Sequence, residues 1–165
     1  MSTRIITNVQ LKSPHWNEKL NDAESFCKIA ASAVWQEMVD SEKFFEVNIV
    51  LADNAMVQRL NFKYRNQDKP TNVLSFPSGT NEHMIYGDVP SLGDIIVAFE
   101  TVIAEAPTRV NEHLSHLVVH GCLHLLGYDH ENADEGDKME ALEIKILTSL
   151  GYQNPYDLNH DYMIK

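Results

Sequence analysis

From Leu114 to Leu126 the chain reads LSHLVVHGCLHLL, and apart from its histidines only Ser115 is polar. Its periodicity predicts a helix from about Thr108, and a helix apolar on most sides has to run through the interior of whatever domain forms around it. His113, His116, His120 and His124 fall within one side of that helix, at about 100° per residue. Imidazoles carried into a core without partners are costly, so the stripe demands partners as firmly as the leucines demand packing. Directly after it come Gly127, free to take the left-handed conformation that ends a helix, and a turn through Tyr128 and Asp129 that can swing His130 back.

The resulting HGCLHLLGYDH, an H-x3-H-x5-H pattern from His120 to His130, suits a metal. Histidines four residues apart aim both nitrogens at one small volume, and His130 supplies a third. Three neutral nitrogens and one open position are how catalytic zinc is usually held, so one zinc ion per chain is expected on His120, His124 and His130. At a rise of about 1.5 Å per residue, His116 and His124 lie about 12 Å apart along the axis, too far to share an ion with ligands at about 2.0 to 2.1 Å. The pair His116 and His120 has no turn-borne third partner, so His113 and His116 are expected outside the ligand set. A buried helix that happens to carry histidines is the competing reading, and it leaves the pairing and the glycine turn unexplained together. Cys122 points elsewhere and reads as a small core residue. Asp129 reads either as the partner that orients a ligand imidazole or as a solvated turn residue. The acidic run Glu131, Asp134, Glu135 and Asp137 suits the first turn of a helix and needs no ion.

The zinc peptidase pattern HExxHxxGxxH carries a glutamate directly after its first histidine as general base. Here that position is Gly121, which is expected to leave space where a peptidase carries its base. Ligands, glycine and spacing match, yet peptide hydrolysis becomes the weaker reading. Lys plus Arg total 13 and Asp plus Glu total 24, a net charge of −11. That balance argues against indiscriminate binding to nucleic acid, with no DNA partner expected, so any polyanion must be met locally. The segment RLNFKYRNQDK places Arg59, Lys63, Arg65 and Lys69 within eleven positions. For any single member an ordinary solvated helix face is the better reading, and composition lifts no one arginine above the others. Beside a metal, an arginine would clamp a phosphate with paired hydrogen bonds.

A chain of 165 residues, 44% of them hydrophobic, supports one substantial core, so a single domain over 1–165 is expected, with a flexible tail at 152–165. Residues 3–9 and 44–52 read as strands, with a helix between them on Leu20, Ala23, Cys27, Ala30, Val34 and Met38, started by Asn21 and Glu24. A helix at about 54–64 follows, then Pro70, a short strand from Asn72 to Phe76, a loop at 77–92 that can fringe the site, and a strand at 93–99. The last helix runs from about Asp134 to Leu150 and stops at Gly151. Strands interleaved with helices predict an α+β domain with a mixed sheet. Cys27 and Cys122 give no disulfide framework and fit a reducing compartment. MSTRIITNVQ lacks the apolar run of a signal peptide, and no stretch of about 18 apolar residues occurs. A cytoplasmic protein without a membrane partner is expected.

Three blocks, YRNQDKPTNVLSFP, LGDIIVAF and HGCLHLLGYDH, in this order and spacing, resemble the YbeY family of bacterial endoribonucleases, also called ribosomal RNA maturation factors. The resemblance covers most of the chain, from about residue 44 to 151. It implies a single α+β domain with a zinc-binding cleft that cleaves single-stranded RNA, acting in maturation of ribosomal RNA at the small-subunit 3′ end and in ribosome quality control, with ribosome-associated proteins as further partners. The family's zinc histidines fall on His120, His124 and His130, and its functionally important arginine falls on Arg65. Beside this stand a zinc peptidase without its glutamate, and a non-catalytic ribosome-binding protein with structural zinc, against which the open fourth position weighs.

Overall fold

The structure, a computed structural model, describes residues 5–39, 44–78 and 90–157. Its elements are β1 (Ile5–Leu11), α1 (His15–Leu20), α2 (Ala23–Met38), β2 (Phe45–Ala52), α3 (Asn54–Arg65), β3 (Val73–Pro77), β4 (Ser91–Ala98), α4 (Phe99–Glu105), α5 (Val110–Leu125) and α6 (Ala133–Ser149). Residues 3 and 4 of the first predicted strand, most of the loop at 77–92 and the tail beyond 157 lie outside the described residues.

The sheet is mixed, in the order β1-β2-β4-β3. β1, β2 and β4 run parallel and β3 closes one edge antiparallel to β4, so the chain forms a single α+β domain. Alternation along the strands sends side chains to both faces. Val47, Ile49, Leu51, Ile95, Val97 and Val73 join α2 and α5 in the main core, while Ala52, Leu74, Ile96 and Ala98 pack on the opposite face with Val57 of α3. Having helices on both faces is why β2 and β4 read as almost unbroken apolar runs.

Two helical features depart from the sequence reading. The helix predicted to start at Asn21 is α2, but a separate, unpredicted helix, α1, precedes it: Asn21 takes φ 64° and ends α1, a left-handed conformation asparagine tolerates better than most residues. Asp22 then caps α2 by accepting the Ser25 N–H at 3.2 Å. Trp16 pins α1, fully buried, with its indole N–H donating to the Ala52 carbonyl at 3.0 Å. The second departure is α4, a helix of two turns that takes over where β4 ends. In the described part of the tail, Pro155 is buried and Tyr152 packs against the main core. Among the described residues no helix is long and apolar enough to cross a membrane.

α5 is buried without a break from His113 to Leu123. It emerges at its C-terminus, where Gly127 takes φ 103°, its N–H reaching the His124 carbonyl and that of Tyr128 the Leu123 carbonyl, both at 3.0 Å. This doubly bonded stop requires a residue at ease with positive φ. At Gly121 the expected open space is absent: a Cβ there would stand 3.0 to 3.1 Å from the Ile95 side chain, because α5 lies hard against β4. The glycine serves helix-to-sheet packing. Gly121→Glu is therefore expected to create no peptidase base and to destabilise the fold by about 3 kcal/mol or more, through overpacking and a buried charge. In a thermal melt that is a midpoint lower by about 10 °C; an unchanged midpoint with new casein cleavage would revive the peptidase reading.

Candidate metal centre

The glycine stop sets the geometry of the site. His120 projects from buried α5 and His124 from its last turn, and the chain reversing through Tyr128 and Asp129 brings His130 beside them. The candidate ligand atoms of His120, His124 and His130 all lie within 4.8 Å of one another. The His120 and His124 Nε2 atoms are 3.0 Å apart. This is the one group of three or more potential metal ligands among the described residues. The acidic run after His130 instead starts α6, where Asn132 caps the helix and Asp134 and Glu135 occupy its first turn.

The other ring nitrogen of each α5 ligand is already engaged. His124 Nδ1 lies 2.9 Å from the Tyr128 carbonyl, an acceptor only, so Nδ1 carries the hydrogen and donates it. His120 Nδ1 lies 3.1 Å from Glu143 Oε1 on α6. Burial acts to raise the Glu143 pKa, but hydrogen bonds from His116 and His120 outweigh it and bring it down to about 2. Glu143 is thus an ionised acceptor, and His120 also carries its hydrogen on Nδ1. Both Nε2 lone pairs then point into the same 3.0 Å gap, which is repulsive unless a cation lies against them. Burial first, and the neighbouring imidazoles second, hold the His124 pKa below its ordinary value, so a proton is a poor occupant at neutral pH. The donor set fits a divalent metal ion.

His113 and His116 engage carboxylates. His116 Nε2 is 2.7 Å from the same Glu143 Oε1, and His113 Nε2 is 2.9 Å from Glu105 Oε1. Burial drives the pKa of each imidazole below its usual value, so they act as neutral N–H donors. The stripe on α5 therefore finds the partners its burial demands, three of its histidines bonding to the carboxylates of Glu105 and Glu143 and the fourth to a backbone carbonyl. Asp129 holds the turn by accepting the His130 backbone N–H at 2.7 Å, whereas the His130 ring nitrogen, at 3.7 Å, is beyond hydrogen-bond range. Both cysteines are buried, and burial pushes the Cys122 thiol up to about 12, which leaves it protonated and inert.

The three histidines line a cavity of about 630 Å³ that Arg65 and Lys69 also line. Arg65 is the last residue of α3, which ends because Asn66 takes φ 56°. Its guanidinium donates to the Ser75 carbonyl at 2.9 Å and lies 5.4 Å over the Phe76 ring. Lys69 is placed by buried Asn61, whose amide donates to the Lys69 carbonyl at 2.8 Å. Of the four clustered cations only these two line the cavity. Glu105 joins them there, held by His113 and by the Asn72 amide at 3.1 Å.

Glu143 and Glu105 are missing from the sequence reading. For Glu143 a signal existed: it stands on the helical stripe of Met139, Ile146 and Leu147, where a lone charge implies a buried partner. Glu105 offers no such pattern.

Known proteins match this chain over most of its length. The family model described as Endoribonuclease YbeY matches residues 10–151. A protein named Endoribonuclease YbeY from Paramagnetospirillum magneticum is 45% identical over 161 residues, covering 94% of this chain and 98% of that one. One of the same name from Bradyrhizobium diazoefficiens is 43% identical over 156 residues, 92% of this chain and 85% of that one. Another, from Azorhizobium caulinodans, is 44% identical over 156 residues, covering 92% and 96%. With the family match over residues 10–151 and this extent of identity, the chain belongs to the YbeY endoribonuclease family.

Proposed function

We propose that the protein is a zinc-dependent endoribonuclease, specific for single-stranded RNA, that acts in ribosomal RNA maturation, at the small-subunit 3′ end, and in ribosome quality control. The observation that carries this reading is the shared cavity, lined by a three-histidine cluster together with Arg65 and Lys69. Zinc suits the donor set because nitrogens at about 2.0 to 2.1 Å from a tetrahedral ion are about 3.4 Å apart, close to the 3.0 Å between the two Nε2 atoms. When bound, the ion supplies Lewis acidity to a phosphoryl oxygen and makes a nearby water easier to deprotonate.

The rest follows from this chain's own residues. Arg65 presents a planar, always charged donor to a phosphate, already tethered by Ser75. Lys69 adds a second positive charge. His120, His124 and His130 serve as neutral ligands in His120, His124 and His130 order along the turn, and take no part as proton carriers. Tyr64 is 59% exposed and packs against Phe76 at 5.3 Å, giving an aromatic face beside Arg65 on which an unpaired base can stack. A duplex offers no such base, which favours single strands. Ribosome-associated proteins are the partners that ribosomal RNA processing implies.

The test is cleavage of single-stranded RNA, duplex RNA and casein before and after removal of metal by chelation and its return. Single-strand cleavage that vanishes with the metal and returns with zinc supports the reading. Casein cleavage would favour the peptidase, and zinc retention without any cleavage the structural-zinc reading. A second expectation concerns salt. With two cavity cations in a protein of net charge −11, RNA binding should follow a shallow log–log slope with salt, about −1 to −2. A slope steeper than about −4 in a fluorescence anisotropy titration would mean a wide basic surface, contrary to this site.

A further inference from the structure

We infer that Glu143 is a positioning residue for the metal ligand His120, and that the segment following α6 takes part in metal retention through the Tyr156 hydroxyl. The carboxylate is 1% exposed, and its two oxygens are used differently. Oε1 accepts from His120 Nδ1 at 3.1 Å and from His116 Nε2 at 2.7 Å, while Oε2 accepts from the Tyr156 hydroxyl at 3.0 Å. The His116 and Tyr156 rings also meet edge to face, with centroids 5.5 Å apart. One buried carboxylate thus ties together α5, α6 and the chain after Gly151.

The consequence for the metal is chemical. An imidazole that donates Nδ1–H to an ionised carboxylate has its ring orientation and tautomer fixed, and its Nε2 becomes a stronger donor to a cation. A carboxylate buried this deeply keeps its charge and its aim only while its own oxygens are satisfied. Tyr156 and His116 do that on two sides. Removing the Tyr156 hydroxyl leaves Oε2 short of a donor, so Glu143 is free to rotate away from His120. Tyr152, in the same segment, is hydrogen-bonded to Ser115 at 3.3 Å and has no hydrogen bond to Glu143, which makes it the matched control.

The inference rests on the metal-binding part of the proposed function and not on RNA cleavage, so the experiment reads metal and not nuclease activity. Zinc affinity of the full chain is measured by competition with a chromophoric chelator, beside the thermal midpoint of the metal-free protein. Glu143→Gln is expected to weaken zinc by about 10- to 100-fold. Tyr156→Phe should weaken it by about 3- to 10-fold, a part of one charge-assisted hydrogen bond, and Tyr152→Phe should leave it unchanged. Nitrogen-15 NMR of the imidazoles adds a readout that packing alone does not move: His120 should be protonated only at Nδ1 in the parent and become a tautomer mixture in Glu143→Gln. If Glu143→Gln fails to fold, the Tyr156→Phe and Tyr152→Phe pair still decides. Zinc affinity equal to the parent in Tyr156→Phe, equal losses in both tyrosine variants, or a parent that binds no zinc would each overturn the inference. Zinc binding that follows the expected order in a protein without nuclease activity would uphold it and sink the functional reading alone.

Discussion

His124→Ala is expected to fold, to lose its zinc and to cleave single-stranded RNA at least about 100-fold more slowly than the parent, since without the ion the site loses its Lewis acid. His124 is a cleaner choice than His120. It stands half-buried at the end of α5, with its ring nitrogens against the Tyr128 carbonyl and the His120 Nε2. His120 is buried and bonded to Glu143, so its loss would also leave a carboxylate short of a donor. The expected sign on stability in metal-free buffer is small and even favourable, because one of two opposed lone pairs disappears. In zinc the parent gains stability by mass action and the variant does not. Melting both proteins with and without zinc, alongside metal analysis, checks each part. A variant that keeps one zinc per chain, or one that cleaves as fast as the parent, would move the metal or the chemistry elsewhere.

The histidine cluster was legible in the sequence because its determinants are local. An i, i+4 pair, a glycine two residues past the helix end and a third histidine within one turn are fixed by helix geometry alone. What lies behind the cluster is not local. Glu143 reaches His120 and His116 from another helix, and among the acidic residues of α6 only its place on the apolar stripe singles it out. Glu105 reaches His113 across the junction of α4 and α5, and nothing in its neighbourhood of the chain distinguishes it. Gly121 is instructive in the other direction. Read along the sequence it is a missing base, whereas in the fold it is the contact that lets α5 press on Ile95. The separate helix α1 stayed hidden because Asn21 suits a helix start as well as the left-handed stop it provides. The strands and the mixed sheet followed from apolar runs, since both faces of β2 and β4 are covered.

Arg65→Ala is expected to retain zinc and most of its stability while kcat/KM on single-stranded RNA falls by about 100- to 1,000-fold, the usual cost of removing one donor aimed at developing charge. The structural share of the side chain is limited. It is exposed, and its loss removes one hydrogen bond to the Ser75 carbonyl and one face-on contact with Phe76, about 1 kcal/mol together. A midpoint lower by about 3 °C would account for that. The functional share is larger because positive charge inside the cavity is scarce: in a chain of net charge −11, only Arg65 and Lys69 of the clustered cations line it, and Glu105 and Asp129 oppose them. Arg65→Lys separates charge from shape. It keeps the positive charge but not the planar fork, so it should recover only a minor part of the activity if paired donation to a phosphate matters. Arg65→Glu should be the most damaging, placing a third carboxylate beside Glu105 and Asp129 where the polyanion must enter. Salt then discriminates between positioning and simple attraction, because added salt screens long-range charge but not a desolvated hydrogen bond. If raising salt brings the parent down to the level of Arg65→Ala, the arginine merely attracts RNA; if the gap persists at high salt, it acts on the phosphate beside the histidines.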